Sequence, residues 1–185
     1  MADNNNDNSD LIIQGCIRKD EKAQEMLYKK YFGYALSVAL LYSCNRNDAV
    51  EIVDDSFIKV FLQIKRYDRS SGSFKGWLRR IVINTAVDRF RRYNRPELAG
   101  VTEAIPVSDD SPGIISQLTA KEIIDLLNYL PHIHKAVFCL YVIEGFSHTE
   151  IADRLKIPES SSRVYLTRAK KQLRELCEKH SITHG

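Results

Sequence analysis

The apolar positions of this chain recur at helical spacing in block after block. After a polar, low-complexity run from Met1 to Ser9 that is expected to stay disordered, Leu11, Ile12, Cys16 and Ile17 mark one face of a short first helix. Ala23, Met26, Leu27, Tyr31, Tyr34, Ala35, Val38 and Leu41 continue the period in a second, with Asp20 placed to cap it. Ser43 to Asn47 reads as a loop. The next helix is expected from Asp48 to Lys65, with Val50, Val53, Phe57, Val60, Phe61 and Ile64 as its buried stripe. Another runs from Gly76 to Tyr93. There Leu78, Ile81, Val82, Thr85, Ala86 and Phe90 span a broad buried arc. Arg80, Asn84, Asp88 and Arg91 fall on the opposite strip, with Trp77 at its edge.

The period then stops. Pro96, Gly100, Pro106, Pro112 and Gly113 interrupt a stretch too long for an ordinary loop, which places a linker at 96–113. Beyond it, Ile115, Leu118, Ile123, Leu127 and Leu130 define one amphipathic helix. Pro131 suits the first turn of the next, whose face is Val137, Phe138, Leu140 and Tyr141. Ser147-His148-Thr149-Glu150 matches a capping box and opens a short helix from His148 to Leu155. Lys156-Ile157-Pro158 turns the chain into a longer helix from Glu159 to about Cys177, with Val164, Leu166, Ala169, Leu173 and Leu176 apolar. The expected fold is all-α: two small helical domains, 10–95 and 114–178, joined by a flexible acidic linker, with tails at 1–9 and 179–185. The second domain carries a helix-turn-helix.

Composition adds little until charge is placed along the chain. The 185 residues are 44% hydrophobic, enough for a core, and the formal net charge is only +3. Yet residues 47–55 hold four acids and no base, 75–95 hold seven bases against one acid, 97–118 hold four acids and no base, and 163–174 hold five bases and no acid. Segregation of this kind suggests different partners for different faces. In the first basic block, an edge aromatic beside an amide and guanidinium groups is suited to stacking on bases and holding phosphates. With the loop Arg66 to Phe74 before it, this helix is read as a holder of single-stranded DNA. In the second, Ser160, Ser161, Ser162, Arg163, Tyr165, Thr167 and Arg168 crowd the start of the longer helix as an exposed polar face, types that reach phosphates and base edges in a major groove. Lys170, Lys171 and Arg174 are placed for phosphates or solvent. Asp48, Glu51 and Asp55 stand at i, i+3 and i+7. The helix dipole accounts for acids in a first turn, but Asp55 lies two turns in, which favours a protein-docking face.

Cys16, Cys44, Cys139 and Cys177 are far apart and form no C-x-x-C pair, so reduced, mostly packed thiols are expected. His132, His134 and Cys139 match no common zinc spacing, and no metal or cofactor is expected. No signal peptide or membrane span is apparent. A G-x-x-x-x-G-K-S/T loop, an H-E-x-x-H motif and a paired-carboxylate site are all missing, which argues against an enzyme. A plain helix-turn-helix regulator explains 130–177 but leaves the Trp77/Asn84 strip and the acidic helix without a role. A helical scaffold would require both basic blocks to be accidental.

Two motif blocks carry a resemblance that spans Asp10 to Cys177. The first is Asp48-Ala49-x-Glu51-Ile52-Val53-Asp54-Asp55-Ser56-Phe57, followed by Phe74-x-x-Trp77-Leu78-x-x-Ile81-x-x-Asn84-x-Ala86-x-Asp88-x-x-Arg91. The second runs from Leu130-Pro131 through Glu144-Gly145-Phe146-Ser147-x-x-Glu150-Ile151-Ala152 and Ile157-Pro158 to Arg168-Ala169-Lys170. The chain resembles bacterial RNA polymerase sigma factors of the extracytoplasmic-function group, the first block their region two and the second their region four. The resemblance implies a dissociable, non-enzymatic subunit of RNA polymerase. It implies docking on the clamp helices of the largest polymerase subunit through Asp48, Glu51, Asp54 and Asp55, and contact with the polymerase flap. It implies capture of melted −10 bases by Arg69, Phe74, Lys75, Trp77, Arg80, Asn84 and Arg91. It further implies duplex −35 binding by Ser160, Ser161, Ser162, Arg163, Tyr165, Thr167, Arg168 and Lys171. An anti-sigma factor is the further implied partner, and the implied location is cytoplasmic, on the nucleoid when active or held at the inner membrane by that factor. Asp54 stands where the family usually has Gln, Ser160-Ser161 where it has Gly-Thr, and Lys19-Asp20 where it has Gly-Asp.

Overall fold

The computed structural model describes residues 4–93 and 120–183, and every regular element among them is helical. Packing divides the chain into two compact units, Met1–Ala86 and Val87–Gly185. The expected linker at 96–113, and the apolar positions Ile115 and Leu118, lie outside the described residues.

The first unit is built from α1 (Asn4–Ile17), α2 (Glu21–Leu40), α3 (Arg46–Gln63) and the greater part of α4 (Phe74–Tyr93), whose residues from Val87 on are counted with the second. Its joints follow from local chemistry. Asp20 caps α2, its carboxylate accepting from the amides of Lys22 and Ala23 at 2.8 and 3.2 Å. Lys19 just before it takes a left-handed conformation, φ 64°. A Cβ on Gly15 would come within 2.5 Å of the Ala23 Cβ, so only glycine lets α1 approach α2 this closely. Asn45 caps α3 by accepting from the Asp48 amide at 2.9 Å. The core draws Leu27, Ala35 and Val38 from α2, Ile52, Val53, Phe57 and Val60 from α3, and Leu78 and Val82 from α4, all essentially inaccessible. Each large side chain among them contributes about 1.5–3 kcal/mol of burial. Buried Ser56 and Thr85 donate their hydroxyls to carbonyls one turn back, Ile52 at 2.6 Å and Ile81 at 2.8 Å.

Three expectations change here. The helix begins at Asn4, so most of the run expected to stay outside the fold is helical. Leu11 and Met26 are exposed (71% and 51%), because Ile12, Ile13 and Cys16 on α1 and Ala23 and Leu27 on α2 take the inward positions. The last helix starts two residues early, where the Ser73 hydroxyl accepts from the Gly76 amide at 3.2 Å.

The second unit contains α5 (Ala120–Leu127), α6 (His132–Phe138), α7 (His148–Leu155) and α8 (Glu159–Thr183). Pro131 sits just before α6 rather than inside it. The chain leaves α6 through a π-helical segment, Cys139–Ile143. That wider turn rotates the register, so Tyr141, expected on the buried face, is exposed together with Val142 and Ile143. Leu127, Val137, Cys139, Leu140, Ile151, Leu155 and Ala169 are among the innermost residues. The capping box forms as expected, the Ser147 side chain accepting from the Glu150 amide while the Glu150 carboxylate accepts from the Ser147 amide at 2.8 Å. The last helix runs past Cys177 to Thr183, so most of the 179–185 tail continues it.

Cys16, Cys139 and Cys177 are buried free thiols and Cys44 is exposed. Among the described residues no helix is long and apolar enough to cross a membrane, and no three His, Cys, Asp or Glu cluster as a metal site would.

Candidate nucleic-acid interface

On the first unit, the start of α4 and the loop before it gather four aromatic rings. Phe74 lies 4.8 Å from Tyr31 and 5.4 Å, edge-on, from Tyr67. Trp77 packs against both Tyr67 and Phe74 at 5.6 Å. Phe74 is only 5% exposed; it supports the half-buried Tyr67 and Trp77 and offers no face of its own. Arg80 and Asn84 follow Trp77 at helical spacing and are exposed. Lys75 is exposed, with its ammonium 5.6 Å from the centre of the Tyr34 ring. Arg91 pairs with Asp88 on the same helix, which leaves it partly neutralised.

The loop itself is braced rather than loose. Asp68 accepts from the Ser70 amide at 2.9 Å and from the hydroxyls of Ser70 and Ser71 at 2.6 and 3.2 Å. Those bonds, led by the Ser70 hydroxyl, hold its carboxyl below the usual range. Tyr67 donates to the Gly72 carbonyl at 3.1 Å. Gly72 has φ 139°, a conformation that needs glycine. Beside this loop opens a cleft of about 730 Å³, lined by Asp10 and Ser9 of α1, Lys30 and Tyr31 of α2, and Tyr67, Arg69 and Lys75 among others. Arg69 is ion-paired with Asp10, and Lys30 donates to Ser9 at 2.7 Å. The α1 and α2 residues here were not foreseen from sequence. They lie far from the loop along the chain, and their helical pattern marked Tyr31 as core.

On α3, Glu51 and Asp54 are exposed and Asp55 is half-buried. Asp54 accepts from the Tyr28 hydroxyl at 2.8 Å. Burial first and that carboxylate second push the Tyr28 hydroxyl up to about 12. Asp48 is occupied locally, accepting from the Cys44 amide at 3.0 Å. Glu51, Asp55, Ile58 and Leu62 follow one another at i, i+4, i+7 and i+11, and the last two are exposed at 59% and 79%. The acidic strip therefore continues into an apolar one, a spacing present in the sequence but off the buried stripe that its periodicity marks.

In the helix-turn-helix, Lys156 takes the left-handed conformation, φ 57°, that ends α7. The serine run at the start of α8 is not an exposed face. Ser160 and Arg163 are exposed and Thr167 and Arg168 half-exposed, whereas Ser161, Ser162 and Tyr165 are buried. The hydroxyl of Ser162 is 2.9 Å from His148 Nδ1, and the His148 ring stacks on Tyr141 at 4.6 Å. Tyr165 lies 5.3 Å from the His134 ring. All three lie on the inward arc of α8, alongside Val164, Leu166 and Ala169, and Ser162 and Tyr165 join it to α7 and α6. Arg163 is ion-paired with Glu159, which also accepts from Thr149 of α7 at 3.0 Å. Lys171 is exposed.

Both units match family models: sigma-70 region 2 over residues 27–96 and sigma-70 region 4 over 120–173. The chain belongs to the sigma-70 family, as a sigma factor of the extracytoplasmic-function type, a family of non-enzymatic transcription initiation factors. It is 32% identical over 161 residues to the ECF RNA polymerase sigma factor SigE of Mycolicibacterium smegmatis, a match covering 84% of this chain and 62% of that protein. It is 27% identical over 174 residues to the ECF RNA polymerase sigma-E factor of Haemophilus influenzae, covering 88% and 91%. Among solved structures, the sigma factor RpoE in complex with the anti-sigma factor NepR from Bartonella quintana aligns at 20% identity and a TM-score of 0.49, over 83% of this chain and 96% of that one.

Proposed function

We propose that this chain is an alternative sigma factor that binds core RNA polymerase and directs promoter-specific initiation, reading the −35 element as duplex and the −10 element as melted strand. The observation that carries the reading is the presence, in one chain and in family order, of an aromatic and cationic surface around Trp77 and a capped helix-turn-helix.

The roles divide by exposure. Glu51, Asp54 and Asp55 of α3 face the clamp helices of the largest polymerase subunit, with Asp48 holding the start of that helix. Trp77, Arg80, Asn84, Arg69 and Lys75 receive the −10 strand, with Phe74 behind the rings and Arg91 at the far end of the strip. Ser160, Arg163, Thr167, Arg168 and Lys171 meet the −35 duplex, while Ser161, Ser162 and Tyr165 hold α8 at its angle. The magnitudes fit such a division. Extruding a base costs a few kcal/mol, and stacking it on an aromatic returns about 1–3 kcal/mol. A good bidentate base contact from α8 adds about 1–3 kcal/mol of discrimination. Neither unit need bind tightly alone, because polymerase holding both at promoter spacing supplies a high effective concentration. An anti-sigma factor would complete the set of partners, and the cytoplasm is the compartment where polymerase and promoter meet.

The test is run-off transcription from genomic fragments with purified protein and core polymerase of the native host. Start sites sharing one −35 and one −10 element are expected. No complex and no specific initiation would overturn the proposal.

A further inference from the structure

We propose that Asp10 of α1 is a specificity-determining residue of the −10 site, selecting at one position an unpaired base that carries an exocyclic amine against thymine. The inference rests on the −10 reading above and adds to it a residue from the other end of the first unit.

The cleft beside the loop has two kinds of wall. Tyr31 and Tyr67 supply aromatic edges, and Lys30 and Lys75 supply ammonium groups suited to a phosphate. Asp10 is the lone acid among the described residues that line it, and its side chain remains 35% exposed. One carboxylate oxygen, Oδ2, is held by the Arg69 guanidinium. That pairing fixes the orientation of the carboxylate and offsets its charge, so a polyanionic strand is not repelled. A carboxylate oxygen aimed at a base edge only accepts. Cytosine, adenine and guanine each present an exocyclic amine that donates to it. Thymine presents a carbonyl in place of the cytosine amine, and its N3–H donor lies one position inward, so a carboxylate held by Arg69 toward the exocyclic position meets an acceptor there, which is unfavourable. Arg69, with five N–H donors, retains donors for a ring nitrogen or a phosphate.

The structure thus assigns α1 a part in promoter choice, where sequence pattern offered only a packing helix. The consequence is specific to one step: discrimination at a single −10 position, with the remaining positions read by the Trp77 strip.

The experiment uses holoenzyme assembled with native-host core and fork-junction DNA whose single-stranded −10 segment carries 5-methylcytosine or thymine at each position in turn. The two bases differ at the Watson–Crick edge and share the methyl group. Wild-type protein is expected to bind the 5-methylcytosine fork about fivefold more tightly at one position, as for a single hydrogen bond at the low end of base-contact strengths. Asp10→Ala should bring that ratio to about one. Asp10→Asn, which adds a donor for the thymine carbonyl at unchanged size, should do the same and guards against a folding defect. Arg69→Ala should weaken binding of every fork. If the preference persists in both Asp10 variants, or if wild-type holoenzyme prefers neither base at any position yet still reads other −10 substitutions, the role of Asp10 is overturned and the −10 reading stands. If no base substitution in the −10 segment changes binding, both readings fall.

Discussion

Gly15 shows how much a single atom decides in this fold. A methyl group there would meet the Ala23 Cβ at 2.5 Å, and both carbons are attached directly to helix backbone. Neither can rotate away, so α1 must lift from α2. Gly15→Ala is expected to destabilise the chain by about 1–3 kcal/mol, as overpacking does, measured by urea denaturation. Ser162 is a different case, a hydroxyl with no exposure that meets one imidazole nitrogen. Ser162→Val should cost about 1 kcal/mol by leaving His148 Nδ1 without its partner. Adding His148→Phe should recover most of that loss, since replacing both members of a part-buried polar pair by apolar groups is nearly neutral. A double-mutant cycle showing strictly additive losses would contradict the pairing. Trp77 is half-buried between Tyr67, Phe74 and solvent. Trp77→Ala should lower initiation about tenfold, from loss of about 1–3 kcal/mol of stacking, with −35 duplex contact retained in footprinting of the holoenzyme.

At the scale of elements, the second unit is expected to lose stability in mild acid. Burial first, then Arg168 and Arg163, hold the His134 and His148 imidazoles below the ordinary value. The fold therefore favours their neutral forms. Their contribution is fully present above the unfolded value near 6.5 and declines as pH falls through the folded one. The melting temperature of the chain should drop between about pH 7 and pH 5, and His148→Gln should flatten part of that slope. The capping box responds separately. Bonds from the Ser147 amide and hydroxyl lower the Glu150 carboxyl, so its support of α7 persists until pH falls below the ordinary carboxylate range. Most of these elements were legible in the sequence. His148 to Leu155, Asp20 as a cap and the Ser147/Glu150 box were found from local residue chemistry alone. What failed was rotation about helix axes: Leu11, Met26 and Tyr141 face out, and Ser161, Ser162 and Tyr165 face in. Periodicity reports that a helix has two faces, but the neighbour and the local turn decide which residues lie at the boundary. The π-helical segment after α6 leaves no periodic signature at all, and the Asp10–Arg69 pair spans 59 positions that no local pattern joins.

For the whole molecule, the acidic strip of α3 is the feature that separates the proposed activity from that of a simple DNA-binding regulator. Glu51→Lys with Asp55→Lys should abolish co-purification with core polymerase while leaving the helical content of the chain intact by circular dichroism. The free protein should bind promoter duplex weakly, and far more tightly once polymerase is added, which electrophoretic mobility shifts would measure. Retained polymerase binding by the doubly reversed variant would move the docking face elsewhere, the exposed Ile58 and Leu62 being the first residues to test next.

The inward-facing side of α8 has a consequence for how such a protein changes over generations. Its angle is kept by side chains turned away from solvent and by the hinge at Lys156, while Ser160, Arg163 and Thr167 face outward. Substitutions at the outward three leave the buried contacts of α8 in place, at the cost only of surface pairs such as Arg163–Glu159. On the proposed −35 reading, a duplicated gene would acquire a new set of target genes in a few single-residue steps, each passing through a folded intermediate.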